Sequence, residues 1–351
     1  MPKQVDYLII GQGLAGSLLS WELIQQGSSI LLIDNQQESA SQIAAGLINP
    51  ITGMRLVKSR DVDTLLPCAT QTYQELSLFF KQDFYIEKPM LRILRNEKEA
   101  HKFHQRIQNQ DYRPYLQTEL KPATESIQAP LGMMQQKQTG YLLSQKLLSC
   151  LKNFLQEKQS YRATQFEYQD LQINNGVHWQ GISAKKIICC EGYQAIHNPW
   201  FNYLPFQLAK GEILTLTAKQ ILPSTMLNYG HWFIPLNKYQ FRTGATFDSI
   251  NLNTAPTIAG KNSLIATLIQ MLPSLDSATL SSHQANIRPT TLDKAPFIGL
   301  HPEHPNLAIF NGFGAKGSLQ IPYYSKHFVQ HLLNKRPITA EVDCRRHALK
   351  T

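Results

Sequence analysis

The chain has 351 residues, enough for two domains or one composite domain, and its 42% hydrophobic and 17% charged content excludes a disordered or fibrous protein. Its net charge of +9 is spread thinly, with no dense Lys/Arg block before the tail CRRHALK. That pattern fits an anionic substrate or dinucleotide better than a dedicated nucleic-acid or membrane surface. Five cysteines without CxxC or metal-type spacing argue against a disulfide framework, and Cys189 and Cys190 sit in an apolar strand-like run. No apolar run approaches the roughly 20 residues that span a bilayer. The first strand begins within about five residues, too early for a signal peptide, so the expected location is the cytoplasm.

In chain order, VDYLIIGQGLAGSLLSWELIQQGSSILLIDN predicts a strand, a glycine turn, an amphipathic helix stopped by Gly27, and a second strand ending at Asp34. Where a second helix is due, AAGLINPITGMRLVKS offers small residues, Asn49-Pro50 and Thr52-Gly53, which turn the chain before a helix forms. Ala44, Ala45 and Gly46 let backbone pass close beside a dinucleotide, and Arg55 and Lys58 are placed to offer it a cation. A helix follows in VDTLLPCATQTYQELSLFF, then mixed strands with a charged helix in NEKEAHKFHQRIQNQ. YLLSQKLLSCLKNFLQEK predicts another helix, with strands expected around Phe166, Val177 and Ile187. From Leu204 to Thr246 the period is mostly 2, and SLIATLIQML returns to a helix. A last strand, LAIFN, feeds a second glycine turn and a final helix.

Gly11, Gly13 and Gly16 form GxGxxG between strand and helix, answered by Asp34 eighteen residues past Gly16. The glycines permit a tight turn, close backbone approach to a pyrophosphate and close helix–strand packing, and the acid suits a ribose 2′-hydroxyl. A second GxGxxG, Gly312, Gly314 and Gly317, is followed by one helix and no acid-ended strand. It suits the other end of the same cofactor, where a helix N-terminus stabilises negative charge. His101 and His104 read as solvated, and His327 and His331, at i and i+4, lack a third ligand. No metal site is expected.

The ordered motifs GQGLAG, SQIAAGLINP, IICCEGYQA, LAKGEIL, HWFIPLNKYQFRTGAT, NIRPTTLDKAPFIG and NGFGAKGS resemble the D-amino-acid oxidase superfamily of FAD-dependent oxidoreductases over nearly the whole chain. That superfamily includes glycine and sarcosine oxidases and the oxidase domain of a bifunctional tRNA wobble-uridine modification enzyme. The resemblance implies a Rossmann-like α/β FAD-binding domain, interleaved with a substrate domain on a mixed or antiparallel sheet. The division expected is 1–80, 139–203 and 284–351 for FAD, with 81–138 and 204–283 for substrate.

Within those motifs the resemblance implies cofactor contacts from Gly11, Gly13, Leu14, Ala15, Gly16, Asp34, Ser41, Ala45, Gly46, Arg55, Gly192, Gly312, Gly314, Lys316, Gly317 and Ser318. Arg288 looks like the arginine that holds a substrate carboxylate, a bidentate task suited to a guanidinium. Trp232 stands where amino-acid oxidases often carry a tyrosine, and it reads either as a stacking surface for a flat or larger substrate or as a core residue. Phe247 is expected in the same pocket, and Arg242 matches the place of a lysine that promotes reaction with oxygen. No Cys lies between Cys190 and Cys344, so FAD is expected to be non-covalent. The implied reaction is oxidation of the C–N bond of an amino acid or N-substituted amino acid by hydride transfer to flavin N5. The imine is then hydrolysed, and oxygen or another acceptor reoxidises the flavin. Two alternatives stand beside it: a tRNA-modifying oxidase acting on a carboxymethylamino-uridine, and a non-catalytic flavin-binding assembly partner.

Overall fold

A computed structural model describes residues 3–174 and 176–347, so the end of the basic tail lies outside the described residues. Strand β1 (Lys3–Ile10) leads through the glycine turn into helix α1 (Leu14–Gln25), and β2 (Ile30–Asp34) follows. The helix α2 (Ala40–Ile43) is a single turn, after which come β3 (Leu47–Ile48), β4 (Ile51–Thr52) and β5 (Val57–Lys58). The expected missing helix is thus replaced by three very short strands. Next are α3 (Val62–Phe80), β6 (Tyr85–Glu87), β7 (Met90–Ile93), α4 (Glu97–Gln108), β8 (Leu116–Lys121) and β9 (Met133–Gln136). The middle of the chain holds β10 (Gly140–Leu142), α5 (Ser144–Glu157), β11 (Tyr161–Ala163), β12 (Gln172–Ile173), β13 (Val177–Trp179) and β14 (Ile182–Cys189). Then follow β15 (Ala209–Thr217), β16 (Met226–Asn228), β17 (Trp232–Pro235), β18 (Gln240–Gly244) and α6 (Ile258–Met271). The chain finishes with β19 (Thr279–Arg288), β20 (Phe297–Leu300), β21 (Leu307–Asn311) and α7 (Gly317–Asn334).

These elements make two large sheets. The first runs β11-β2-β1-β14-β21 in parallel, with β20, β13 and β12 added antiparallel. Its central strands are buried on both faces, so they read as continuous apolar runs. Tyr7, Ile9, Ile30 and Leu32 face the core shared with α1, α3, α5 and α7, while Leu8, Ile10, Leu31 and Ile33 face Trp179 and Phe201. The second sheet is ordered β19-β15-β18-β17-β16-β7-β9-β8, and a small third sheet joins β3, β10 and β6.

Two sequence expectations shift. The strand expected around Phe166 ends earlier, at Ala163, because Phe166 leaves the sheet edge to stack on Trp179 at 5.1 Å between centroids. The expected domain boundary at 283/284 falls inside β19, which runs unbroken from Thr279 to Arg288 because β15 pairs with its whole length. Likewise β6, assigned by sequence to the substrate part, pairs with β10 in the small sheet.

Candidate functional site

In open α/β sheets, ligands bind beyond the carboxyl ends of the parallel strands. Here β1, β14 and β21 are neighbours, with β14 in the centre, so both glycine turns and the Cys190–Gly192 turn meet at one edge. A cleft of about 770 Å³ opens there and runs from these turns to the second sheet.

At one end the cleft is walled by bare backbone. Gly11 has φ +100, and a Cβ there would lie 2.6 Å from the Cys190 carbonyl oxygen. A Cβ on Gly16 would lie 2.0 Å from the Gly11 oxygen, so this glycine packs helix on strand behind the cleft and does not line it. Gly13 does line it, with only the Ser41 hydroxyl near, at 3.4 Å. Leu14 N donates to that Ser41 Oγ at 3.0 Å, which fixes the start of α1. Leu14, Ala15, Asp34, Ser41, Ala45 and Gly46 also line the cleft. The Asp34 carboxylate accepts from Gln12 N at 3.0 Å, Gln36 N at 2.9 Å and the Tyr161 hydroxyl at 3.3 Å, so it is held for a diol by backbone and by a phenol. Gly46 has φ +67, and a Cβ would strike the Leu142 oxygen at 2.1 Å.

The second turn contributes Gly314, Lys316, Gly317 and Ser318 to the lining, beside Gly192. Gly312 is excluded from it. Its φ is +84, and the space a Cβ would take is filled by the Thr291 methyl at 2.7 Å. The Lys316 ammonium has no hydrogen-bond or ion-pair partner among the described residues. Burial lowers its ammonium pKa, helped by nearby Arg60.

The other end is a row of residues on one face of the second sheet. Register pairs Trp232 with Gly244, Gly244 with Ile213 and Ala209 with Arg288, and Trp232, Ile213, Gly211 and Arg288 all line the cleft. A Cβ on Gly211 would lie 1.9 Å from Arg288 Nη2, so the glycine exists to admit the guanidinium. That guanidinium is mostly buried, its pKa lowered by burial, and it donates to the carbonyls of Lys210 at 3.5 Å and Thr246 at 3.2 Å. No carboxylate of the protein pairs with it among the described residues. Phe247, next to Thr246, lines the cleft and is 71% exposed.

Two expected residues are elsewhere. Arg242 shares the face of Gly244, two residues on, yet it does not line the cleft. Its guanidinium donates to the carbonyls of Ile43 and of Ala44, the latter at 3.2 Å, and burial lowers its pKa to about 10. It braces the small-residue segment from behind, which removes it as an oxygen-side cation. Arg55 is exposed on the turn between β4 and β5 and lies outside the lining, because the hairpin leaves the cleft after Thr52. Lys58 pairs with Asp63 at 2.7 Å.

Sequence reasoning missed Glu191. It lines the cleft at the end of β14, accepting from the Tyr168 hydroxyl and from Asn198 Nδ2 at 2.9 Å, and burial raises its carboxyl pKa. The signal was available: like Asp34, it is an acid closing an apolar strand. Gly211 was also missed, since nothing local marks a glycine emptied for a side chain on the next strand. A cluster of His301, Glu303 and His304 resembles a metal site. His301 cannot serve, since its Nδ1 accepts from two backbone N–H groups at 3.2 Å and its Nε2 faces the Trp200 oxygen at 3.0 Å.

Bare glycine backbone, two helix N-termini converging on one cleft and a fixed carboxylate suit the pyrophosphate, ribose and ring of one dinucleotide. Fold and site therefore define a dinucleotide-dependent oxidoreductase. The chain belongs to the FAD dependent oxidoreductase family, whose model matches residues 6–331, and FAD is its cofactor. It is 32% identical to glycine oxidase of Pseudomonas putida over 136 residues, 38% of this chain and 37% of that one. It is 23% identical to the tRNA 5-methylaminomethyl-2-thiouridine biosynthesis bifunctional protein of Acinetobacter baylyi, over 97% of this chain and 55% of that one. The matches to these curated relatives thus span between about a third and about half of their length. Among solved structures, glycine oxidase from Geobacillus kaustophilus superposes with TM-score 0.84 at 20% identity, covering 99% of both chains. Iminodiacetate oxidase from Chelativorans superposes with TM-score 0.80 at 18% identity, covering 95% of this chain and 97% of that one. Among the described residues, no helix is long and apolar enough to cross a membrane.

Proposed function

We propose that the chain oxidises the C–N bond of an amino acid or N-substituted amino acid, with Arg288 holding the substrate carboxylate and FAD bound without a covalent link. The observation that carries this is Arg288 itself, a largely buried guanidinium set over Gly211, aimed into the cofactor cleft and without a carboxylate partner among the described residues. A guanidinium has five N–H donors and two carbonyls occupy it only in part, which leaves an edge for a carboxylate. Bound FAD supplies the two-electron acceptor. The protein supplies orientation: the carboxylate on Arg288 places the neighbouring carbon between the second sheet and the small-residue wall. Lys316 adds positive charge at the second turn, where a ring gaining electrons is stabilised. The relatives named glycine oxidase and iminodiacetate oxidase support a small amine with at least one carboxylate.

Anaerobic mixing of the yellow protein with glycine, sarcosine and iminodiacetate tests the reading. The expected result is bleaching of the visible flavin band by at least one of them, and a loss of about 100-fold or more in half-saturation for Arg288→Ala. Flavin that no amine bleaches would return the chain to a non-catalytic flavin-binding role. A second reading, a carboxymethylamino group on a tRNA base, is favoured by the tRNA-modifying relative that aligns over 97% of the chain. It requires tRNA binding that weakens steeply with salt, and absence of binding at low salt would end it.

A further inference from the structure

Of the four tryptophans, Trp21, Trp179 and Trp200 each touch another aromatic ring. Trp232 touches none among the described residues, and neither does Phe247. Both line the same end of the cleft as Arg288. Trp232 is half-buried, packed against Gly244, where a Cβ would come within 2.8 Å of its Cζ2, and against an apolar group around Met90, Met226 and Ile234. Its indole is therefore fixed by its packing while part of it lines the cleft.

Phe247 is held out by its own backbone. Thr246 N donates to the Glu212 oxygen at 3.2 Å, and Lys210 and Asp248 exchange backbone hydrogen bonds at 2.7 and 3.1 Å. The fully buried Lys210 ammonium ties the rest of that loop down, donating to Asn253 Oδ1 at 2.9 Å and the Ala255 oxygen at 2.5 Å. The anchored backbone fixes where Phe247 leaves the chain, and its large apolar ring stands 71% exposed at the cleft.

We propose that Trp232 and Phe247 form an aromatic grip for a planar ring carried on the substrate nitrogen, while Arg288 holds the carboxylate. The inference rests on the carboxylate role of Arg288 given above and names the substrate class for that site: glycine-type amines with a flat aromatic or heteroaromatic N-substituent. Offset stacking and edge contacts with such a ring use both side chains, whereas glycine itself carries no ring to engage them.

The test uses the FAD-loaded protein and two ligands with no C–N bond to oxidise, phenoxyacetate and methoxyacetate, read by perturbation of the visible flavin spectrum. N-benzylglycine and sarcosine form the reducible pair in anaerobic bleaching. The expected result is phenoxyacetate binding about tenfold tighter than methoxyacetate, with the ratio collapsing toward one in Phe247→Ala and in Trp232→Leu. Phe247 is exposed on an anchored loop, so its variant keeps the test decisive even if Trp232→Leu folds poorly. Equal dissociation constants in the unmodified protein, or a ratio unchanged by Phe247→Ala, overturn the grip. If sarcosine bleaches the flavin while the ratio is one, the grip falls and the amine-oxidising function stands. If no carboxylate perturbs the spectrum and no amine bleaches the flavin, both fall.

Discussion

The molecule carries two turns with the same glycine spacing, and they do different work. Around the first, Gly11 and Gly16 have no room for side chains: they face backbone oxygens at 2.6 and 2.0 Å. Around the second, a Cβ on Gly317 would meet no backbone, only the Ile321 Cδ1 at 3.2 Å, the end of a flexible side chain, and the Phe313 Cβ at 3.8 Å. The first turn is a rigid backbone mould with an acid behind it. The second is a looser helix start that carries a cation. Equal spacing in sequence therefore does not mean equal constraint, since the neighbours that crowd a glycine come from other strands.

Gly16→Val should break the comparison most sharply. An added isopropyl group, its Cβ directly against the Gly11 backbone, is expected to destabilise by about 3 kcal/mol and to strip FAD. The urea midpoint and flavin content after desalting measure both. Gly317→Ala, by contrast, should leave each of those within error.

The helices that follow the two turns, α1 and α7, pack on each other, and Glu22 of α1 lies at their far end, near Lys326 and Glu75. Burial raises its carboxyl pKa from 4.5 to about 7, with Lys326 opposing and Glu75 adding to the shift. A raised acid favours the protonated fold, so this contribution is fully present below about pH 4.5 and is lost as pH rises through about 7. At 1.36 kcal/mol per unit the change is at most about 3 kcal/mol. Glu22→Gln should flatten the melting temperature across that window and exceed the unmodified protein above pH 7. Parallel profiles would show that the two helices meet without this charge cost.

Asp34→Asn removes the acid that distinguishes the first turn. It should weaken FAD by about tenfold, seen by fluorescence titration of the apoprotein. Lys316→Met tests the second turn and should have the smallest effect on affinity, a few-fold at most. Its signature is instead a lower flavin midpoint potential in dye-equilibrated reduction. A large loss of affinity with unchanged potential would make the two turns alike after all.

The features legible in sequence were those whose determinants are local. A strand, three glycines, a helix and Asp34 are consecutive, and the continuous burial of β1 and β2 is legible as apolar runs covered on both faces. Arg242 shows the limit. Strand alternation places it on the cleft-facing side, but only the fold reveals that Ile43 and Ala44 lie over it. Arg55 misled because a cation after a glycine turn looks the same whether the hairpin points inward or outward. Gly211 and Arg288 are far apart in sequence and form one unit across β15 and β19.

The bond from Arg242 to residues 43 and 44 has a consequence for how the two sheets stay joined. Had α2 continued past Ile43, the carbonyls at 43 and 44 would have been taken by N–H groups one turn further along the helix. By stopping, the segment leaves two acceptors free, and the second sheet grips them. A substitution that lengthened α2 would therefore act as an uncoupler: the mould at the first turn would remain intact, while the roof above it lost its hinge pin.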